Sequence, residues 1–250
     1  MARRLIIADG SSGVSTSLLR KLEGWTVYGT SEVPDTARGS HSLVVLDTIR
    51  SAVSGPVELY MVPAFDVRGN RTDHRSLIRT IETAAKGDAV VNLSWGVSMR
   101  QAGLTARYRM IQEVADWRAF QARNPGVMLV WAAGNTGDLL PDDDAEYPQA
   151  SLQSETSVSV GALEGGRPTA YSSDSTLAPM LAMDAAWTFE GHAYTGTSFA
   201  APKASAVFLE RGWRRCSEAL QYAVPVPGGE RKGLYTLDHQ FKALLSRKVS

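Results

Sequence analysis

The sequence predicts an α/β fold: a doubly wound, mostly parallel central sheet with helices on both faces, in three layers. Two observations predict it. Short, continuously apolar runs recur along the chain, and segments with helical spacing of apolar residues alternate with them. Strands that are apolar throughout are typical of parallel sheets covered on both faces. No linker or internal repeat interrupts the 250 residues, so we expect one domain over residues 1–250.

The predicted elements follow in chain order. Apolar runs predict strands over residues 4–8, 25–29, 57–63, 89–93, 126–133 and 158–163. Helical spacing, or an alanine-rich run in the last case, predicts helices over residues 14–22, 41–53, 72–86, 104–122 and 198–211. Ligands of open α/β sheets bind beyond the carboxyl ends of the strands. Asp9, residues 94–96 and Asn135 directly follow predicted strands, so we expect chemistry there.

Charge and cysteine content exclude several classes of protein. Lysine plus arginine and aspartate plus glutamate both number 26, and the formal net charge is zero. This lacks the basic excess of a nucleic-acid-binding protein. Cys216 is the single cysteine, so an intrachain disulfide cannot form. We interpret it as a structural thiol on a partly exposed helix.

The sequence predicts neither a targeting segment nor a membrane span. The apolar run before Asp9 has four residues, whereas the apolar part of a secretory signal has roughly 7–15. No run approaches the roughly 18 apolar residues of a membrane span. We therefore expect a cytoplasmic protein that does not bind membranes.

A candidate nucleophile lies at the start of the last predicted helix. Ser198 follows Gly196 and stands in the positive field of the helix N-terminus. Its own amide can donate to a developing oxyanion. Pro202 is expected to be tolerated because the amides of a first helical turn have no partner within the helix. An ordinary N-cap on a buried helix is the alternative for this segment.

Two motifs carry a resemblance to a known family. Residues 196–202 read Gly-Thr-Ser-Phe-Ala-Ala-Pro, which resembles the nucleophile motif Gly-Thr-Ser-Met-Ala-Ala-Pro of the subtilisin-like serine proteases. Residues 130–137 resemble the strand of that family that ends in Ala-Ala-Gly-Asn. The resemblance implies that Ser198 is the nucleophile and that the Asn135 side chain completes the oxyanion hole. A turn residue is the alternative for Asn135.

The resemblance also implies the substrate-binding residues. Residues 90–96 are similar to the family's Val-Ile-Asn-Met-Ser-Leu-Gly, whose last three residues pair with the substrate as an added strand. They form one wall of the primary specificity pocket. An ordinary strand and turn is the alternative. The predicted substrate-binding residues are Ser94, Trp95 and Gly96 on this wall, Ala132, Ala133 and Gly134 on the facing wall, and Thr197 beside the nucleophile.

The base and the acid are predicted mainly from position. A serine nucleophile needs a nearby base, and His41 is the histidine that stands between the first predicted strand and the strand over residues 57–63. Residues 38–44 partly match the family's His-Gly-Thr-His-Val-Ala-Gly. Asp9 precedes His41 by 32 residues and ends a strand that resembles the family's Val-Ile-Asp-Thr-Gly. The order Asp, His, Ser is the subtilisin order. An Asx-turn is the alternative for Asp9.

Departures from the family lead to expectations about folding and metal. The first strand begins close to Met1, and the segment from His41 to Tyr60 is short. We therefore expect folding without a pro-domain, no metal in the site, and calcium binding that is weak or absent. Oxygen ligands suit calcium, and one acidic cluster could supply them or favour a basic substrate side chain; a solvated loop is the alternative for this cluster. Its members are Asp138, Asp142, Asp143, Asp144 and Glu146.

The expected reaction is peptide-bond hydrolysis by a serine endopeptidase without a cofactor. Its partners would be a peptide or protein substrate and a possible protein inhibitor or regulatory partner. The rival is an inactive protein of the same fold that binds a peptide or partner in the substrate groove. A second rival is a nucleotide or phosphate binder that uses residues 9–13, although this loop is neither a dinucleotide fingerprint nor a P-loop.

Overall fold

The computed structural model describes residues 3–10, 13–29, 31–33, 40–66, 68, 70–98, 104–137, 146–173, 180–227 and 234–247. Its strands are β1 (Arg3–Asp9), β2 (Gly13–Ser15), β3 (Trp25–Tyr28), β4 (Ser31–Val33), β5 (Val57–Pro63), β6 (Ala89–Leu93), β7 (Val97–Ser98), β8 (Val127–Ala132), β9 (Glu146–Tyr147), β10 (Ser157–Glu164), β11 (Arg167–Pro168), β12 (Met180–Asp184), β13 (Trp187–Phe189), β14 (His192–Tyr194), β15 (Val224–Pro225) and β16 (Leu234–Thr236). Its helices are α1 (Thr16–Lys21), α2 (His41–Ala52), α3 (His74–Ala85), α4 (Leu104–Arg123), α5 (Thr197–Arg211), α6 (Cys216–Leu220) and α7 (Asp238–Ser246), with a 3₁₀ turn at Gln149–Ser151.

A single large sheet runs through the described residues. Its order is β15-β16-β12-β10-β8-β6-β1-β5-β3, and β11 pairs with β10 at the side. Each neighbouring pair from β16 to β3 is parallel, whereas β15 and β11 pair antiparallel. The predicted mostly parallel sheet is therefore confirmed.

Helices cover both faces of this sheet. Successive side chains of a strand point to opposite faces, and β1 shows the result. Leu5 and Ile7 pack in the cluster that contains the apolar residues of α2, α5 and α7. Ile6 and Ala8 pack in a separate cluster with α3 and α4. All four side chains are fully buried, so the predicted three layers are confirmed.

The winding direction of the sheet reverses at β1. The chain passes from β1 to the edge strand β3 and returns to β5 beside β1. It then crosses to β6 on the other side of β1. Ala8 is opposite Leu93 of β6, and Asp9 is opposite Pro63 of β5. The carboxyl ends of these strands therefore meet at the switch point where open α/β sheets bind ligands.

The differences from the predicted elements are confined to short segments. The predicted helix over residues 14–22 begins instead as β2, which pairs with β4 before α1 starts. The sequence did not predict β12, the hairpin of β13 and β14, α6 or α7. The hairpin turns at Glu190 and Gly191 with φ values of 49° and 81°. Among the described helices, none is long and apolar enough to cross a bilayer.

Helix α7 contributes to the burial of a charged side chain, that of Lys203 on α5. Lys203 of α5 is only 4% exposed. Its Nζ donates to Asp184 Oδ1 at 3.2 Å and to the Ala186 carbonyl at 2.8 Å. The rings of Trp187 and of Phe241 on α7 lie 5.7 and 5.6 Å from the ammonium. A buried charge is tolerated only when it is paired in this way.

Candidate active site

Asp9 and His41 form a hydrogen-bonded pair at the switch point. Asp9 ends β1 and is 5% exposed, and His41 is the first residue of α2. The His41 Nδ1 lies 2.9 Å from Asp9 Oδ1 and 3.0 Å from Oδ2. The Gly10 amide also donates to Oδ1, at 2.6 Å. A strand end and a helix start, far apart in sequence, thus bring the two predicted residues together.

The pair sets the protonation and orientation of His41. Burial lowers the pKa of His41, but the hydrogen bond and the negative charge of Asp9 outweigh it, and the pKa is raised above 6.5. Because Asp9 engages Nδ1, the other ring nitrogen, Nε2, is the one that can exchange a proton with substrate. The His41 side chain is 39% exposed, so the ring is both held and accessible.

Ser198 lies in the first turn of α5, and the residue that follows it contacts the His41 ring. Phe199, the following residue, places its ring 5.3 Å from the imidazole at an interplanar angle of 49°. This contact brings the nucleophile segment to the Asp9–His41 pair. Within the described contacts, no hydrogen bond joins Ser198 Oγ to His41. Such bonds are often long in a free enzyme and tighten when substrate binds.

Pro202 and Ser94 together determine how the Ser198 backbone is held. The helix begins at Thr197, so Pro202 lies beyond the first turn, contrary to the sequence-based expectation. A proline has no amide hydrogen, and the carbonyl it would have bonded is four residues earlier, that of Ser198. The Ser94 hydroxyl donates to this carbonyl at 3.0 Å. A side chain of the neighbouring loop thus replaces the missing helical bond.

A buried polar network extends this link into the core. Asn92 Nδ2 donates to Ser94 Oγ at 2.9 Å, and Ser205 Oγ of α5 donates to Asn92 Oδ1 at 3.0 Å. Asn92 and Ser205 are fully buried and Ser94 is 3% exposed. Buried groups that satisfy one another specify one packing arrangement. The network therefore fixes α5 against β6. The sequence analysis did not predict this network, although its residues 92–94 belong to one of the matched motifs.

Asn135 is oriented by Thr197. The Thr197 amide and its hydroxyl both donate to Asn135 Oδ1, at 3.1 and 3.0 Å. The same hydroxyl accepts from the Gly134 amide at 3.1 Å. Because two donors hold Oδ1 as an acceptor, the orientation of the amide is set and Nδ2 is its donor end. Gly196 has φ +139°, a backbone conformation that residues with a Cβ rarely adopt, so glycine is needed here for its backbone and not for space.

The two predicted pocket walls lie side by side. Leu93 of β6 is paired with Trp131 of β8, so residues 94–96 and 132–134 leave adjacent strand ends. The Trp95 side chain is buried and its Nε1 donates to the Ala8 carbonyl at 3.0 Å. The ring of residue 95 is thus turned into the core, away from the predicted substrate groove.

The second wall is tied to the core. Ala132 and Ala133 are 3% and 7% exposed, and Thr197 is fully buried. The Gly134 carbonyl accepts from the Ser173 amide at 2.9 Å, and its amide is the one that donates to Thr197. Both backbone groups of this glycine are therefore engaged within the protein. Ser94 and Thr197 act on their neighbours by hydrogen bonds rather than through exposed surface.

Other candidate groups are inert or undescribed. Burial raises the pKa of the Cys216 thiol to about 12, which leaves little of the reactive thiolate near neutral pH. Asp138, Asp142, Asp143 and Asp144 of the acidic cluster lie outside the described residues. Within the described ranges, no three histidine, cysteine, aspartate or glutamate side chains converge as metal ligands.

Comparison with protein-family models decides the family. The model of the subtilase family matches residues 51–210, which include Asn135 and Ser198. The chain belongs to the subtilase family. Asp9 and His41 lie before the matched region. Members of this family are serine proteases, so the chain is a subtilisin-like serine protease, a hydrolase. No curated protein matches this subtilase in sequence.

Solved structures share the fold of this subtilase. The nisin leader peptidase NisP from Lactococcus lactis has a TM-score of 0.65 at 15% identity, over 98% of this chain and 87% of the other. A cold-adapted subtilisin-like serine proteinase has a TM-score of 0.57 at 17% identity, over 95% and 88%. The prenylagaramide maturation protease PagA has a TM-score of 0.56 at 22% identity, over 83% and 73%. At these identities the similarity is one of fold.

Proposed function

We propose that this subtilase is a serine endopeptidase that hydrolyses peptide bonds through an acyl-enzyme intermediate, with Asp9, His41 and Ser198 as its triad. The observation that carries the proposal is the Asp9–His41 hydrogen bond of 2.9 Å at the switch point, beside the helix that begins with the nucleophile motif. The 5.3 Å contact between the rings of His41 and Phe199 brings these two parts of the chain together.

The reaction begins when Ser198 Oγ attacks the scissile carbonyl and His41 Nε2 takes its proton. Asp9 holds the imidazole tautomer and stabilises the imidazolium that forms. His41 then protonates the leaving amine, and the peptide bond breaks to leave an ester on Ser198. Water repeats the sequence: His41 takes a proton from it, the hydroxide attacks the ester, and Ser198 recovers its proton.

The oxyanion is stabilised by two donors that are fixed before reaction. These are the Ser198 amide at the start of α5 and the Nδ2 group of Asn135, which Thr197 orients. Charge that appears only in the transition state is stabilised most by donors that need not reorganise. The helix N-terminus adds a favourable field.

The substrate is a peptide or protein that pairs with the backbone of residues 94–96. No metal or organic cofactor is required for the proposed chemistry, because a hydroxyl, an imidazole and two N–H donors supply nucleophile, base and oxyanion hole. We further propose that calcium is not essential and that the protein acts in the cytoplasm without nucleic-acid or membrane partners. The substrate groove could also take a protein inhibitor or regulatory partner.

The test is covalent labelling with a fluorophosphonate together with hydrolysis of unrelated peptides. Wild-type protein should be labelled and should cleave, whereas Ser198→Ala should lose both with an unchanged melting temperature. The matched control is Ser51→Ala, a helical serine on α2 whose hydroxyl donates to the Thr48 carbonyl; it should retain label and activity. A folded wild-type protein without label would instead make a peptide-binding protein the better description.

A further inference from the structure

Arg71 and Glu113 form a buried ion pair beside the first predicted pocket wall. The side chain of Glu113, on α4, is 2% exposed, and that of Arg71, in the loop after β5, is 21% exposed. Arg71 Nη2 donates to Glu113 Oε1, which also accepts from Trp117 Nε1 at 3.2 Å. Replacing a buried ion pair by groups without charge is often neutral for stability. The pair is therefore better explained by what the arginine contacts than by the stability it adds.

The Arg71 guanidinium stacks over the ring of Trp95, the central residue of that wall. Its Cζ lies 4.6 Å from the ring centroid, and Trp95 is buried. A cation over an indole is attracted to its face, and the attraction is stronger where water is excluded. A planar guanidinium that a carboxylate holds in place suits such stacking. Glu113 thus holds the cation, and the cation holds the ring.

The Trp95 ring connects the ends of four neighbouring strands. It directly follows β6 by one residue, and its Nε1 donates at 3.0 Å to the Ala8 carbonyl of β1, next to Asp9. Phe65, just after β5, and Trp131, near the end of β8, pack edge-on against the ring at 5.9 and 5.4 Å. A shift of this ring would therefore move the backbone of residue 95 relative to the three other strand ends.

We infer that Arg71 and Glu113 are positioning residues for substrate binding: they fix the Trp95 ring and, through it, the backbone of residues 94–96. The inference rests on the proposed function, in which this backbone pairs with the substrate, and neither side chain is proposed to touch the substrate. Strand pairing binds a peptide through main-chain hydrogen bonds. A displaced wall should therefore weaken the binding of an extended peptide and leave the reaction at Ser198 intact.

The test variant is the double substitution Arg71→Met/Glu113→Gln. Arg71→Met alone would leave a buried carboxylate without its cation, which is strongly destabilising. The double variant removes both charges, and the new amide still offers an acceptor to Trp117 Nε1. Its melting temperature should therefore stay close to that of the wild type, while the stacking on Trp95 is lost.

The experiment compares an extended peptide with a blocked single-residue ester that is too short to pair as a strand. In the double variant, kcat/KM for the peptide should fall about tenfold, through a rise in KM, as expected for the loss of a cation–π contact away from water. The value for the ester should be unchanged. A merely structural ion pair would not separate the two substrates.

The matched control is Arg4→Met/Glu58→Gln, which removes an ion pair of similar exposure at the start of β1, the opposite end of that strand from Asp9. It should leave both substrates at their wild-type kcat/KM. If the first double variant does not fold, Arg71→Lys replaces it. Lysine keeps a charge for Glu113 but has no plane to stack, so it should show the same selective loss to a smaller extent.

An undiminished kcat/KM for the peptide in either folded variant overturns the inference, because the stacked arginine then has no effect on binding. An equal fall for peptide and ester also overturns it, since the defect then lies in the reaction or in the whole fold. Fluorophosphonate labelling separates the two proposals. A labelled wild type without the selective loss in the variants removes only the inference, whereas absence of label in folded wild-type protein removes the proposed function itself.

Discussion

The two halves of the candidate site are held in different ways. Around Ser198, the Ser94 hydroxyl donates to the Ser198 carbonyl and Thr197 donates to Asn135, which joins two strand ends to one helix, and most of these groups are buried. His41, in contrast, is held by the carboxylate of Asp9 and by the Phe199 ring. The proposed oxyanion side is therefore a network with several hydrogen bonds, whereas the proposed base has one hydrogen-bond partner among the described contacts. We expect the base side to be the more sensitive to a single substitution.

The largest effect should come from Asp9→Asn. The amide cannot hold the productive tautomer of His41, so kcat should fall about 10⁴-fold. Since Asp9 raises the pKa of His41 above 6.5, and the base must be neutral to act, the acid limb of wild-type kcat/KM should lie above pH 6.5. In Asp9→Asn that limb should move to lower pH, because burial alone lowers the pKa.

The matched control is Asp116→Asn, which removes the partner of another histidine, His74, at a similar distance of 2.8 Å. It should leave turnover and the pH profile unchanged. Steady-state rates from pH 5 to 9 test both variants. An Asp9→Asn enzyme within about tenfold of wild type would contradict the single-support description of His41.

A smaller loss should follow Asn135→Ala on the network side. Removing one oxyanion donor lowers kcat about 10²–10³-fold, the range known for such a donor in a subtilisin. KM should change little, because the donor acts on charge that develops in the transition state. Separate measurement of kcat and KM checks this. A large rise in KM with kcat preserved would show that Asn135 binds the ground state or supports the pocket.

The Ser94 variant tests whether the network replaces the helical bond that Pro202 removes. Ser94→Ala should lower the free energy of unfolding by about 1–3 kcal/mol, because the Ser198 carbonyl and Asn92 Nδ2 lose their partner. In the double variant with Pro202→Ala, the new amide at 202 can donate to the Ser198 carbonyl and should recover part of the loss. A double-mutant cycle by chemical denaturation measures the coupling; purely additive effects would refute the compensation.

The smallest expected effect on activity is that of replacing Phe199, whose ring contacts His41. The Phe199 ring lies within the distance at which an aromatic face stabilises a cation, so Phe199→Leu should shift the acid limb of kcat/KM to lower pH and lower kcat about 2- to 5-fold. Phe199→Tyr should restore the wild-type profile. Phe208→Leu, on the same helix but packed against Trp213, should reduce stability and leave the limb unmoved.

Sequence patterns predicted the central strands closely and the peripheral elements poorly. The predicted bounds of residues 57–63 and 89–93 coincide with β5 and β6, because continuous burial leaves a continuous apolar run. The hairpin around Glu190 was missed because its two strands are short and its turn is set by backbone conformation. Helix α7 was missed because its place depends on packing against α5, which local spacing does not report.

In the candidate site, too, features with a local sequence pattern were predicted and features that depend on long-range packing were not. Residues in the motif around Ser198 were predicted from local sequence, and His41 and Asp9 from their order along the chain. The inward turn of the Trp95 ring was not predictable, because it depends on contacts across one face of the sheet. Arg71 stacks over this ring at 4.6 Å, and Trp131 packs edge-on at 5.4 Å. Such contacts join segments that share no local pattern.

The buried ammonium of Lys203 has a consequence for limited proteolysis. It sits five residues beyond the nucleophile on α5, and the Asp238 carboxylate at the start of α7 accepts from the Asp184 amide at 2.9 Å. A cut between β16 and α7 would expose the Lys203 ammonium to water on the side that Phe241 covers. It would also loosen the end of β12, where Asp184 pairs with this ammonium. A cut in this last segment would then lower the rigidity of α5 at Ser198, the proposed nucleophile, without changing any group that is proposed to contact substrate.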